Sequence, residues 1–140
     1  MIEINNKTKE KVNVQALKDL VQKFFEYFQV INQNLSIALV GDEEMQELNK
    51  KWRGMDKPTD VLSWRSEETE EIPGEETLGE IIIDLNQISR QADELNKKAA
   101  DELDFILVHG LLHLIGYQDE EEQQREEMIS LGEKFLNSIK

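Results

Sequence analysis

The stretch that decides the fold is "FILVHGLLHLIGYQDEEEQ" (105–123), which places both of the chain's histidines in its most apolar segment. His109 and His113 are four residues apart, so on a helix they share one face, one turn apart. Because the residues around them are apolar nearly all round, we predict a central helix over 99–115. The paired imidazoles are half of a tetrahedral metal site; the alternative is two hydrogen-bonded core residues.

A third ligand is expected just after this helix. Gly116 stands where a left-handed cap would end the helix and turn the chain back. Asp119 follows six residues after His113, far enough past the turn for its carboxylate to reach the two imidazoles. Two histidines and a carboxylate with an open fourth position form a catalytic metal arrangement, and these ligands suit zinc best. Alternatively, Asp119 caps the final helix, and one oxygen could cap while the other binds metal.

The position next to the first histidine argues against one class of enzyme. In the peptidase motif H-E-x-x-H the glutamate is the general base, and here that position is Gly110. Peptide hydrolysis by that mechanism is therefore disfavoured.

Strands and helices alternate outward from the histidine helix. The predicted strands are 2–5, 35–40, 59–64 and 80–84. The first predicted helix runs from an Asn13 cap to Phe28, and the second begins at Asp42 with Met45, Leu48 and Trp52 facing inward. The third begins at a capping box of Asp84 and Gln87 and ends in the mid-90s. The last two cover 99–115 and about 120 to the end. An acidic loop with Pro73-Gly74 separates the third and fourth strands. We predict one α+β domain over 1–140, a small mixed sheet packed with helices.

Composition limits the class of protein. The chain has 140 residues, 39% hydrophobic and 33% charged, and no cysteine. These values are typical of a folded domain and exclude a disulfide framework or a thiolate metal site. The amino-terminal residues show no signal-peptide pattern, and the apolar segment at 103–117 is too short to span a membrane. We expect a cytoplasmic protein.

The charge is unevenly distributed along the chain. The net charge is −14, which disfavours a polyanionic partner in general. Residues 66–80 carry seven acids and no base, whereas residues 47–65 carry five bases against three acids. That basic stretch, with Lys50, Lys51, Arg53, Lys57 and Arg65, is where an anion would bind; the alternative is an ordinary solvated loop.

Three ordered blocks of sequence resemble one known family. "HGLLHLIGYQD" (109–119) resembles the H-G-x-L-H-L-x-G-x-D-H signature of the YbeY endoribonucleases. "LNKKWRGMDKPTDVLSW" (48–64) and "LGEIIID" (78–84) resemble the family's other two blocks, in the same order and spacing. Three positions depart from the pattern: Gln118 and Asp119 stand where the signature ends in Asp-His, and Glu80 stands where aspartate is common.

The resemblance implies a zincin-like fold and a metal-dependent endoribonuclease, specific for single strands. It would act in maturation of the 3′ end of small-subunit (16S) ribosomal RNA and in ribosome quality control. The partners would be ribosomal RNA and the small subunit, with no DNA or membrane. By position in the resembled motifs, His109 and His113 correspond to two zinc ligands, and Asp119 stands at the position of the third. Arg53 corresponds to the family's catalytic arginine, which faces the metal. Two other possibilities remain: an assembly factor with a structural metal, and a hydrolase of another substrate.

Overall fold

Four strands form one mixed sheet and five helices pack on it in the computed structural model, which describes residues 1–31, 33–65 and 77–140. The strands are β1 (Ile2–Asn6), β2 (Asn34–Val40), β3 (Val61–Arg65) and β4 (Thr77–Asp84). The helices are α1 (Val14–Tyr27), α2 (Asp42–Arg53), α3 (Leu85–Glu94), α4 (Ala99–Leu114) and α5 (Glu122–Ser138).

The sheet has the strand order β1-β2-β4-β3. The neighbouring pairs β1–β2 and β2–β4 are parallel, and the edge strand β3 is antiparallel to β4. Each predicted strand and helix is present with bounds shifted by a few residues, and the α+β prediction is confirmed. The predicted acidic loop at Pro73-Gly74 lies outside the described residues.

The two faces of the sheet are covered differently because alternate strand residues point to opposite sides. Ile81 and Ile83 of β4 enter the main core with α1, α3, α4 and α5. Ile82, between them, packs on a smaller cluster that includes Met45 of α2 and Leu62 of β3. Among the described helices, α2 is the one that packs on this second face, next to the edge strand.

The histidine helix α4 is central to the main core, as predicted. Leu107 and Leu111 are fully buried, and each such side chain contributes roughly 1.5–3 kcal/mol of hydrophobic stabilisation. A Cβ at Gly110 would lie 3.3 Å from Ile81 Cδ1, so the absence of a side chain there lets α4 approach the sheet closely. The packing of α4 on β4 fixes the helix that carries the histidines.

The predicted helix starts are largely confirmed. The Asn13 side chain accepts a hydrogen bond from the Ala16 N–H at 3.0 Å and caps α1. Asp84 caps α3 by accepting from the Asn86 and Gln87 N–H groups. The reciprocal half of the predicted capping box does not form, because the Asp84 N–H donates to the Asp60 carbonyl.

The predicted inward position of Trp52 is wrong. Met45 is buried as expected, but Trp52 is 58% exposed and Asn49 is buried in the same helix. The Asn49 amide donates to the Lys57 carbonyl at 2.8 Å and thereby fixes the loop after α2. Trp52 meets the Trp64 ring on the edge strand β3, and no further strand of the described residues lies beyond β3 to cover it.

Candidate metal centre

The two histidines stand on the last turns of α4 and face a cleft rather than the core. Their ring centroids are 5.0 Å apart with the rings nearly perpendicular. The side chains are 19% and 28% exposed for His109 and His113, respectively. They are therefore anchored by a buried helix and still open to solvent on one side.

The turn after α4 has the form that the sequence predicts. Gly116 has a φ of +114°, a conformation that favours glycine. The Tyr117 N–H donates to the Leu112 carbonyl at 3.0 Å and the Gly116 N–H to the His113 carbonyl at 3.1 Å. This pair of bonds is a Schellman motif, which satisfies the last carbonyls of the helix and reverses the chain.

The reversal brings Asp119 onto the histidines. Its Oδ2 atom lies 3.2 Å from His109 Nε2 and 3.3 Å from His113 Nε2. Burial by itself raises the pKa of Asp119, but the hydrogen bond to His109 and the charges of both imidazoles outweigh it, so the pKa lies below its usual value. The carboxylate is thus held as an anion against two imidazole nitrogens.

The alternative role of Asp119 as a helix cap is wrong. The helix α5 begins two residues later than that role requires, and its N-cap is Glu121. The Glu121 N–H donates to the Gln124 side chain at 3.1 Å. Asp119 therefore has no part in capping α5.

The three side chains fit a tetrahedral metal ion. Their ligand atoms all lie within 4.8 Å of one another. Ligand bonds of about 2.0–2.2 Å place tetrahedral ligand atoms about 3.4 Å apart, close to the two distances from Asp119 Oδ2. Two imidazole nitrogens and one carboxylate oxygen could hold such an ion and leave a fourth position open.

The cleft also contains the arginine expected from the basic stretch. The cleft has a volume of about 760 Å³. Arg53, at the end of α2, lines it together with His109, His113 and Asp119. Lys50 and Lys57 of the stretch are placed differently. Lys50 Nζ lies 3.9 Å from Asp56 Oδ2. Lys57 lines a smaller neighbouring cleft of about 360 Å³, which Arg53 also lines.

Arg65, which the sequence offers only as one base of the basic stretch, lines the cleft, and its Nε donates to the His113 carbonyl at 3.2 Å, so it holds the end of α4. Sequence reasoning did not single out three further side chains of this cleft. Phe105, Tyr117 and Ile129 form an apolar part of the wall. The alternation along β3 could have placed Arg65 in the cleft, because Val61 and Ser63 line the same cleft.

Comparison with known proteins agrees with this geometry. A sequence model of the family described as Endoribonuclease YbeY matches residues 3–140.

This chain belongs to the YbeY family.

Its relatives include the "Endoribonuclease YbeY" of Persephonella marina, 35% identical over 130 residues that cover 92% of this chain and 85% of the relative. The protein of that name from a Sulfurihydrogenibium species is 37% identical over 131 residues, covering 93% and 86%. The solution structure of TM1509 from Thermotoga maritima superposes with a TM-score of 0.66 at 30% identity, covering 96% of this chain and 86% of that one. The fold and the family are therefore shared along most of the chain.

The described helices show no membrane-crossing candidate, since none is both long and apolar enough.

Proposed function

We propose that this chain is a metal-dependent endoribonuclease that cleaves single-stranded RNA. The observation that carries the proposal is one cleft that holds both the His109–His113–Asp119 cluster and Arg53. Family membership supports the reaction, because the relatives are named endoribonucleases. The substrate that we propose is small-subunit ribosomal RNA, cleaved near its 3′ end. The protein would act in the cytoplasm and take part in ribosome quality control.

We further propose zinc as the metal, one ion per chain, because two imidazoles and a carboxylate are typical zinc ligands. His109, His113 and Asp119 would hold it. When bound, it would supply Lewis acidity at the scissile phosphate.

The protein's own groups would bind and orient the RNA. Arg53 is always charged, and its forked guanidinium can bind two phosphate oxygens at once and stabilise charge that develops on them. Arg65 would act as a positioning residue, because it holds the carbonyl of His113 and thus the end of α4. In a chain of net charge −14, these cations would confine RNA binding to the cleft and make it sensitive to salt.

A second candidate is a ribosome-assembly factor whose metal is structural. The acidic balance of the chain favours it, as does the carboxylate in place of the family's last histidine. A structural metal would stabilise the fold without supporting cleavage.

Cleavage of an end-labelled fragment of small-subunit ribosomal RNA separates the two candidates. The purified protein should cut the single-stranded fragment but not the same fragment annealed to its complement, and a chelator should stop the reaction until zinc is restored. Arg53→Ala should slow cleavage about 10- to 100-fold, the value of a charge-assisted phosphate contact, with little change in melting temperature. Lys23→Ala, which removes an exposed cation on α1 outside the cleft, is the matched control. Absence of cleavage with zinc present, in a protein that unfolds when the metal is removed, would favour the assembly factor.

A further inference from the structure

Trp52 has a surface position that the cleavage site does not explain. It is 58% exposed, more than Tyr27 or Tyr117, the other exposed aromatic residues among those described. Leaving so large an apolar ring in water forgoes the stabilisation that burial would give.

The contacts of Trp52 hold the ring in place without covering it. The Trp64 ring on β3 meets it edge-on, with centroids 6.3 Å apart and an interplanar angle of 72°. Lys51 Nζ lies 5.1 Å from its ring centroid. Trp64 itself packs on the smaller core cluster, so its ring is anchored to the sheet. Trp52 is therefore an exposed ring supported by the fold.

The surroundings of Trp52 are basic in a strongly acidic chain. The last turn of α2 carries Lys50, Lys51 and Arg53. Arg53 follows Trp52 directly in the chain, and it lines the cleft of the metal centre. An exposed aromatic ring near cations that can bind phosphates is an arrangement by which proteins bind single-stranded nucleic acids.

We propose that Trp52 is a stacking platform for an unpaired base of the RNA strand whose phosphate Arg53 holds. The proposal rests on the proposed function and adds a base-binding subsite to it. A base in a duplex is already stacked and paired, so this subsite favours single-stranded RNA. Every base has an aromatic face, so stacking on Trp52 adds affinity with little preference for sequence.

The chain's two tryptophans make the subsite directly measurable. In a Trp64→Phe variant the only remaining tryptophan is Trp52, so its fluorescence reports on this position alone. The probe is a short single-stranded 2′-O-methyl oligonucleotide, checked on a gel for integrity after the titration. Binding should quench the fluorescence of Trp52. An abasic oligonucleotide of the same length, which keeps the phosphates and lacks the bases, should bind more weakly and leave the fluorescence nearly unchanged.

Variants of Trp52 in the otherwise unchanged chain provide the second measurement. Trp52→Ala should weaken binding of the base-containing oligonucleotide about 5- to 100-fold, and binding of the abasic one by less than about twofold. Trp52→Phe keeps an aromatic face and should retain most of the affinity. Leu95→Ala removes a similarly exposed apolar side chain on another surface and serves as the control.

The possible outcomes are distinct. If the unchanged chain binds and cleaves RNA but Trp52→Ala binds both oligonucleotides as tightly as the parent, Trp52 has only a structural or protein-contacting role and the subsite is refuted. Equal losses for both oligonucleotides would also refute it, because stacking requires bases. If the unchanged chain neither binds nor cleaves RNA, the proposed function and the subsite fail together.

Discussion

Asp119→Ala removes the carboxylate oxygen that contacts both histidine nitrogens, at 3.2 and 3.3 Å. If these three side chains hold the metal, the variant leaves two imidazoles and an under-coordinated ion. Loss of a residue that merely orients a metal ligand costs about 10- to 100-fold in affinity, so loss of a ligand should weaken zinc binding by more than about 100-fold. Asp119→Asn keeps the size of the side chain but loses its charge, and it should weaken binding by about tenfold or more.

Competition with a chromophoric chelator measures these affinities. Glu120→Ala is the matched control, because Glu120 lines the same cleft and carries the same charge but lies outside the ligand cluster. The free energy of unfolding of the metal-free Asp119→Ala variant should fall by only about 0.5–1.5 kcal/mol, the contribution of the lost hydrogen bond to His109, since Glu121 caps α5.

An unchanged zinc affinity in Asp119→Ala would refute the assignment of this ligand. Equal losses in Asp119→Ala and Glu120→Ala would also contradict it, because they would indicate a general effect of negative charge.

Two further predictions concern stability. Burial and the negative charge of the neighbouring Asp42 raise the pKa of Asp84 to about 7. The native state therefore holds a proton that the unfolded chain releases near pH 4, and the free energy of unfolding should fall between about pH 4 and pH 7. Asp84→Asn keeps the helix cap, so the free energy of unfolding of this variant, measured in urea, should differ less between pH 5 and pH 8 than that of the parent. An equally large difference in the variant would contradict this explanation. A Cβ at Gly79 would lie 2.1 Å from the Trp64 carbonyl oxygen at a φ of +155°, so Gly79→Ala should lower the free energy of unfolding by more than about 2 kcal/mol. Gly132→Ala on α5, where the added methyl group meets only ordinary contacts, should instead raise the free energy of unfolding by about 0.5–1 kcal/mol. Equal effects of the two substitutions would contradict the steric reason.

The elements that hydrophobic patterning controls could be predicted from sequence. The strand 35–40 and the helix 99–115 consist of apolar runs that only a buried position explains, and the structure has them as β2 and α4. The side chain of Trp52 was misplaced because periodicity shows which helix face is apolar but not where the supporting sheet ends. Only the side-chain half of the predicted capping box at Asp84 forms. The Asp84 backbone N–H instead donates to the distant Asp60 carbonyl, which no local pattern predicts.

The candidate site was predictable where it is local in sequence. The spacing of His109, His113 and Gly116 predicts a shared helix face and a chain reversal, and the structure has both. Whether Asp119 caps a helix or meets the histidines depends on where α5 begins, which is set by Glu121 and its bond to Gln124. The alternation along β3 places Arg65 on the cleft side with Val61 and Ser63. Its bond to the His113 carbonyl, however, depends on tertiary packing that brings β3 beside the end of α4.

Anomalous diffraction at the zinc edge from crystals grown with zinc tests the metal centre most directly. We expect one peak per chain in the cleft, at about 2.0–2.2 Å from His109 Nε2, His113 Nε2 and a carboxylate oxygen of Asp119. A cleft without a peak, or a peak whose ligands do not include Asp119, would contradict the metal centre on which the proposed cleavage of RNA depends.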